Sequence, residues 1–238
     1  MHDTPTSTET TLDTVPDPVR RYLQRAVPDG TPPVERAELT QRGAFRLGGP
    51  DARWRPLKAS QTVTTDPPGF RWEGRIRLLP LVWARATDAY HEGEGSLRAT
   101  LFSVIPLARA DATPEMDAAE LQRYLAEAVL YPTALFPSDR LTWEPLTDDS
   151  ARATLTDGDT TVSLDFQFGD DLVVGVSGQR FHLDESTWLP WHGTFDAYER
   201  RDGLFVPTEG EVAWTLPEGE CPYWRATFDA ATYEFADA

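Results

Sequence analysis

Residues 111–137 read DATPEMDAAELQRYLAEAVLYPTALFP, the one long helical signal in a chain that otherwise alternates as strands do. Leu121, Tyr124, Leu125, Ala128 and Val129 recur at i, i+3, i+4, i+7 and i+8, which lines one face of a 3.6-residue helix with apolar groups. Gln122, Arg123 and Glu127 take the other face. Two start signals precede the stripe. Thr113 stands before Pro114, and Asp117 stands three residues before Glu120 in a capping-box arrangement that would satisfy otherwise orphaned N–H groups. Pro132 ends or kinks the helix. Leu135 and Phe136 carry the apolar surface past the kink, so the segment can plug the concave side of a sheet but cannot cover a large flat one.

On the N-terminal side the spacing predicts a short helix, with Asp17 and Pro18 as cap and first turn of VRRYLQRAV. Val19, Tyr22, Leu23, Ala26 and Val27 share its apolar face, and Arg20, Arg21 and Arg25 share another. From Val34 the period changes to two, and FRWEGRIRLL (70–79) is the cleanest strand, Phe70, Trp72, Gly74, Ile76 and Leu78 alternating with Arg71, Glu73, Arg75 and Arg77. Strands over 57–65, 81–91 and 96–105 complete an antiparallel meander ahead of the central helix. Beyond it, strands are expected near 141–144, 150–155, 161–168, 172–176, 179–183, 191–199, 204–216 and 223–235. Tight turns are read at Asp157-Gly158 and Asp202-Gly203.

The 238 residues suffice for one well-buried core. A net charge of -17 argues against a nucleic-acid or anionic-membrane partner, because both need a basic face to neutralise phosphates, and no basic cluster is expected. Lys58 is the only lysine, a usage seen in salt-adapted and high-GC organisms. The single Cys221 excludes an internal disulfide and, with no thiol cluster, fits the cytoplasm. Residues 1–15 are too polar to bury and are expected to form a disordered leader before one domain over 16–238. They lack the basic and apolar regions of a signal peptide, and no run approaches membrane-spanning length.

The order of elements resembles the half-barrel of LolA-like lipoprotein carriers and related lipid-binding folds. It consists of a helix, a strand meander, a central helical plug and more strands. Four segments are also similar in wording to an uncharacterised prokaryotic family, a domain of unknown function: VPDPVRRYLQRAVPDG (15–30), PPGFRWEGRIRLLP (67–80), YLAEAVLYPTAL (124–135) and EGEVAWTLPEGECPYWRATF (209–228). The resemblance implies an α+β fold, a strongly curved antiparallel β-sheet with helices packed on its concave face. The carriers are exported, whereas this chain shows no signal peptide, so trafficking across an envelope is not implied.

Phe70, Trp72, Trp83, Tyr124, Leu125, Val129, Phe136 and Trp143 could line a hollow between sheet and helix, or simply fill the core. Arg71, Arg75 and Arg77, with Arg85 on the next strand, could hold an anionic head group at a cavity mouth or form a solvated outer face. The histidines do not make a metal site: in His91-Glu-Gly-Glu94 the turn glycines cannot put two ligands on one helical face, and His182 and His192 have no third partner in sequence. Cys221 lies between Glu220 and Pro222, which disfavours a reactive thiolate. The acidic pairs Glu209 with Glu211 and Asp196 with Glu199 could serve glycosidic chemistry if held about 5–10 Å apart in a cleft.

The reading is therefore non-enzymatic binding or carriage of a small hydrophobic or amphipathic, lipid-like molecule, with no cofactor, metal or catalytic residue assigned. The alternatives are a structural or protein-interaction module with a filled core, monomeric or dimeric through a sheet edge, and a carboxylate-based hydrolase.

Overall fold

The computed structural model describes residues 12–102 and 105–237. Helix α1 spans Asp17–Ala26, and strands β1 (Val34–Arg46), β2 (Trp54–Thr65), β3 (Pro68–Leu79), β4 (Val82–His91), β5 (Glu94–Leu101) and β6 (Ile105–Ala110) follow. Helix α2 spans Pro114–Glu127 and runs into two short 3-10 turns, Ala128–Leu130 and Pro132–Leu135. Then come β7 (Leu141–Thr147), β8 (Ser150–Asp157), β9 (Thr160–Gly169), β10 (Leu172–His182), β11 (Thr187–Arg201), β12 (Leu204–Leu216) and β13 (Gly219–Phe235).

The strands form one 13-stranded sheet in the order β6-β5-β4-β3-β2-β1-β13-β12-β11-β10-β9-β8-β7. Two antiparallel meanders are thus stitched together where the first strand pairs with the last, Ala37 opposite Tyr233 and Gly43 opposite Ala226. Among the described residues β6 and β7 are the free edges of an open sheet, and α2 is the chain between them. The hydrophobic alternation holds: Phe70, Trp72, Gly74 and Ile76 are buried while Arg71, Glu73, Arg75 and Arg77 face out.

The two wings approach one another. The Tyr90 hydroxyl of β4 donates to Asp157 of β8 at 2.9 Å, and the Arg140 guanidinium lies 3.4 Å from Asp66 and 3.6 Å from Asp157. Helix α2 touches β3, β4 and β5 in one wing and β9 and β10 in the other. Strands so distant in the order can meet one helix only if the sheet bends strongly, as the accumulated twist of a wide sheet permits.

The α1 residues Val19, Tyr22, Leu23, Ala26 and Val27 are buried as their spacing predicts. Burying each of the larger apolar side chains contributes about 1.5–3 kcal/mol. On the other face Arg21 pairs with Asp171 at 2.7 Å and Arg25 donates to the Asp170 carbonyl.

Several expectations need correction. The α2 N-cap is Thr113, whose Oγ1 accepts from the Met116 N–H at 3.2 Å. Asp117 instead accepts from the Gly95 N–H at 2.7 Å, so the second start signal is a helix-to-sheet tie. Strand β10 runs unbroken through Gly178, expected as a break, because its pairing with β11 continues there, Gly178 opposite Trp191. Of the expected 1–15 leader, residues 1–11 lie outside the described residues, whereas Leu12 and Val15 are buried in the core, where apolar contact outweighs their polar neighbours.

Gly95 sets the distance between β5 and α2: a Cβ at this position would stand 2.4 Å from the Met116 carbonyl oxygen. The Gly95→Ala variant is expected to lose about 1–3 kcal/mol by forcing helix and strand apart. Its urea unfolding midpoint should fall at an unchanged slope; an unaltered midpoint would refute this close approach.

Candidate functional site

A polar helix face ordinarily meets water. In α2 it does not. Glu120 and Gln122 are buried, and the side chains of Arg123 and Glu127 are only 15% and 18% exposed. Both wings surround the helix, so its polar groups must be satisfied inside the protein.

Most of them are satisfied by a network running across the molecule. Arg123 Nη1 donates to Asp88 of β4 at 2.5 Å and Nε donates to Glu127 at 2.8 Å, a spacing of one helical turn. The guanidinium lies over the rings of Phe70 and Trp72, 5.0 and 5.1 Å from their centroids. Gln61 of β2 donates to Glu127 at 2.5 Å, Gln41 of β1 donates to Gln61 at 3.2 Å, and the Trp72 indole donates to Gln41 at 3.1 Å. Toward the other wing, Arg180 of β10 donates to the Ala119 carbonyl at 3.3 Å and lies 3.6 Å from Glu120. Gln122 donates to the Gln179 carbonyl at 2.9 Å.

Burial raises the Glu120 carboxyl from an ordinary 4.5 to about 7, and the nearby Asp88 charge adds to the rise while Arg180 and Arg123 oppose it. Burial raises Asp88 also, against the pull of Arg123. Arg123 is held protonated: Glu127, Asp88 and Glu120 outweigh the cost of burying its charge. Among the described residues one oxygen each of Asp88 and Glu120 has no hydrogen-bond partner. The arrangement joins helix to sheet.

On another face of the C-terminal part of α2 lies a groove of about 380 Å³ between the helix and the ends of β1, β2, β7 and β8. Its floor is apolar: Val34, Tyr124, Leu125, Ala128, Leu141 and Leu155 are buried side chains, with half-buried Phe136 beside them. Thr65, Asp66, Thr133, Asp139 and Arg140 form the rim. The Tyr131 hydroxyl donates to the Tyr124 carbonyl at 2.8 Å and the Trp143 indole to the Leu135 carbonyl at 3.0 Å, so the proline-interrupted segment under the groove is fixed.

The structure brings Tyr124, Leu125 and Phe136 of the expected lining to this groove. Phe70 and Trp72 are buried against Arg123, Val129 is fully buried, and Trp143 packs edge-on to Phe166 at 5.0 Å. Trp83 is on the opposite face: it stands across from exposed Arg77, and residues directly opposite in an antiparallel pair share a face. A bulge between Arg77 and Leu79 ahead of the β3–β4 turn sets that register. Arg71, Arg75, Arg77 and Arg85 are exposed and none lines the groove. Arg140, Val34 and Leu155 were missed because three separated stretches meet only in the tertiary fold. The Ser138-Asp139-Arg140 turn after Pro137 was the available signal.

Of the remaining candidates, Asp196, Glu209 and Glu211 line one open groove of about 620 Å³ together with Arg225. Asp196 faces Glu209 across β11 and β12, Glu211 faces Arg225, and Glu199 pairs with Arg201 at 3.6 Å. His192 lies 3.2 Å from Glu220, and His182 packs edge-on to Trp214. Among the described residues no three His, Cys, Asp or Glu side chains converge as a metal site.

Two outcomes test the network. Arg123→Met leaves Asp88 and Glu127 buried without their cation, and denaturant titration should show a loss of about 3–5 kcal/mol. Because folded Glu120 holds its proton more tightly than the unfolded chain, its contribution is fully present below pH 4.5 and is lost as pH rises to about 7. Glu120→Gln removes that loss. Its melting temperature relative to the parent should therefore increase between pH 5 and pH 8.5, by at least about 2 °C; a pH-independent difference would contradict the assignment.

No curated protein matches the chain. A solved LolA superfamily protein from Nitrosomonas europaea is similar at a TM-score of 0.45 and 10% identity, over 98% of this chain and 96% of that one. A beta-barrel-like protein of domain of unknown function DUF1849 from Brucella abortus is similar at a TM-score of 0.26 and 10% identity, over 85% of this chain and 99% of that one. The model of the family of unknown function DUF6920 matches residues 13–233, and the chain belongs to that family.

Proposed function

We propose that the protein binds a small amphipathic molecule, without catalysing its conversion, in the groove at the C-terminal end of α2, on the concave side of a half-barrel sheet. The observation that carries this reading is the groove itself: about 380 Å³, with buried apolar side chains beneath half-buried Ala134 and Phe136 and a polar rim. Burial of the ligand's alkyl or ring surface against the half-buried Ala134, Phe136 and Pro137 supplies the affinity, at about 25 cal/mol per Å² removed from water. The polar end remains at the rim. There the acids Asp66 and Asp139 outnumber Arg140, whose guanidinium already faces Asp66 and Asp157. A neutral or cationic head group is therefore favoured over a carboxylate.

Titration with a fluorescent long-chain alcohol and with the corresponding fatty acid tests this. The alcohol is expected to bind, and to bind several-fold more tightly than the acid at neutral pH. Ala134→Trp, which fills the groove from a half-buried position, should abolish uptake without changing the far-ultraviolet circular dichroism. Absence of uptake of either probe, or uptake unaffected by Ala134→Trp, would overturn the proposal.

A further inference from the structure

Residues 74–87, GRIRLLPLVWARAT, and 97–110, LRATLFSVIPLARA, contain no acidic residue in a chain that has 39 of them, yet include Arg75, Arg77, Arg85, Arg98 and Arg109. The fold places the two stretches side by side, because β4 pairs with both β3 and β5 and β5 pairs with β6. Arg75 stands directly opposite Arg85, Arg77 opposite Trp83, and Arg98 opposite Arg109. Like charges facing each other across strands cost stability. Arg98 and Arg109 reach Asp111, but among the described residues Arg75, Arg77 and Arg85 have no acidic partner within ion-pair distance.

The same end of the wing carries exposed apolar side chains. Leu79 and Leu81 occupy the β3–β4 turn and Phe102 and Ile105 flank the β5–β6 connection; Leu81 is 91% exposed and the other three more than half. The Phe102 N–H donates to the Trp83 carbonyl, which ties the two hairpin ends together. Leu81 and Phe102 adopt left-handed backbone with φ of 65° and 52°, a conformation disfavoured for bulky residues. Scattered surface leucines need no explanation, but bulky apolar groups gathered at two adjoining hairpin ends do.

From this juxtaposition we infer that the β3–β4 and β5–β6 hairpin ends dock the protein on an anionic lipid surface. The apolar tips enter the acyl boundary and the unpaired arginines meet the head-group phosphates behind them. Charge complementarity selects this occupant: the overall charge of -17 repels an anionic surface, whereas the outward side of these hairpins carries Arg75, Arg77, Arg85, Arg98 and Arg109 against Glu73, already paired with Arg71, and Asp111, paired with Arg109. Screening over about 10 Å at ordinary ionic strength lets the local face act independently of the distant acids. The inference does not depend on the α2 groove, to which none of these residues contributes.

Co-flotation of the full chain with vesicles tests it, using phosphatidylcholine alone or with about 30% phosphatidylglycerol. Binding is expected only to the anionic vesicles and should weaken steeply between about 0.05 and 0.5 M salt. The triple variant Arg75→Gln, Arg77→Gln, Arg85→Gln should reduce partitioning by up to roughly a hundredfold. The double variant Leu81→Asp, Phe102→Asp should abolish binding while retaining the parent melting temperature and groove ligand uptake. Failure to float with anionic vesicles at low salt, or flotation unaffected by both variants, overturns the inference. So does a dimer in light scattering that the double variant dissociates with no vesicle binding, which would make a second copy the occupant.

Discussion

The structure depends on one buried cation. Arg123 sits in the middle of α2, enclosed by Asp88, Glu127 and the faces of Phe70 and Trp72. An ionised group can occupy such a place only if its charge is matched and its donors are used. Asp88 comes from β4, and Glu127 is held by Gln61 of β2. Satisfying Arg123 therefore fixes where the helix lies against the first wing. Arg180 and Gln122 do the same toward β10.

This polar matching explains how a 13-stranded sheet can be bent so far and still have one arrangement. Apolar packing is not directional and would tolerate small rotations of α2. A chain of hydrogen bonds from Trp72 through Gln41, Gln61 and Glu127 to Arg123 and Asp88 does not. The cost falls on Asp88 and Glu120, whose carboxyls are both raised by burial and each retain an oxygen with no hydrogen-bond partner among the described residues. Close to neutral pH the network is thus poised between two protonation states.

The groove and the hairpin ends occupy different parts of the fold. The groove lies where the central strands β1 and β2 meet the β7–β8 edge region beside the proline-interrupted end of α2. The arginine-lined hairpins belong to the β6 side. A face that is basic and apolar in a strongly acidic chain is visible only when charge is counted by stretch; the total of -17 conceals it.

The sequence by itself determined the helices, the antiparallel meanders and the inward residues of β3, because periodicity and turn chemistry are local properties. Phe70, Trp72 and Ile76 could be assigned to the buried face from alternation alone. Tyr124, Leu125 and Phe136, three of the expected lining residues, line the groove beside the helix end. Tertiary structure decided the rest. Pairing of β1 with β13, residues about 200 apart in sequence, leaves no local trace. Nor does the turn register that sends Trp83 outward. The burial of the α2 polar face is the clearest case: Gln122, Arg123 and Glu127 look like a solvated face, and only the second wing, arriving from the far end of the sheet order, turns them into the interior contacts that hold the two halves together.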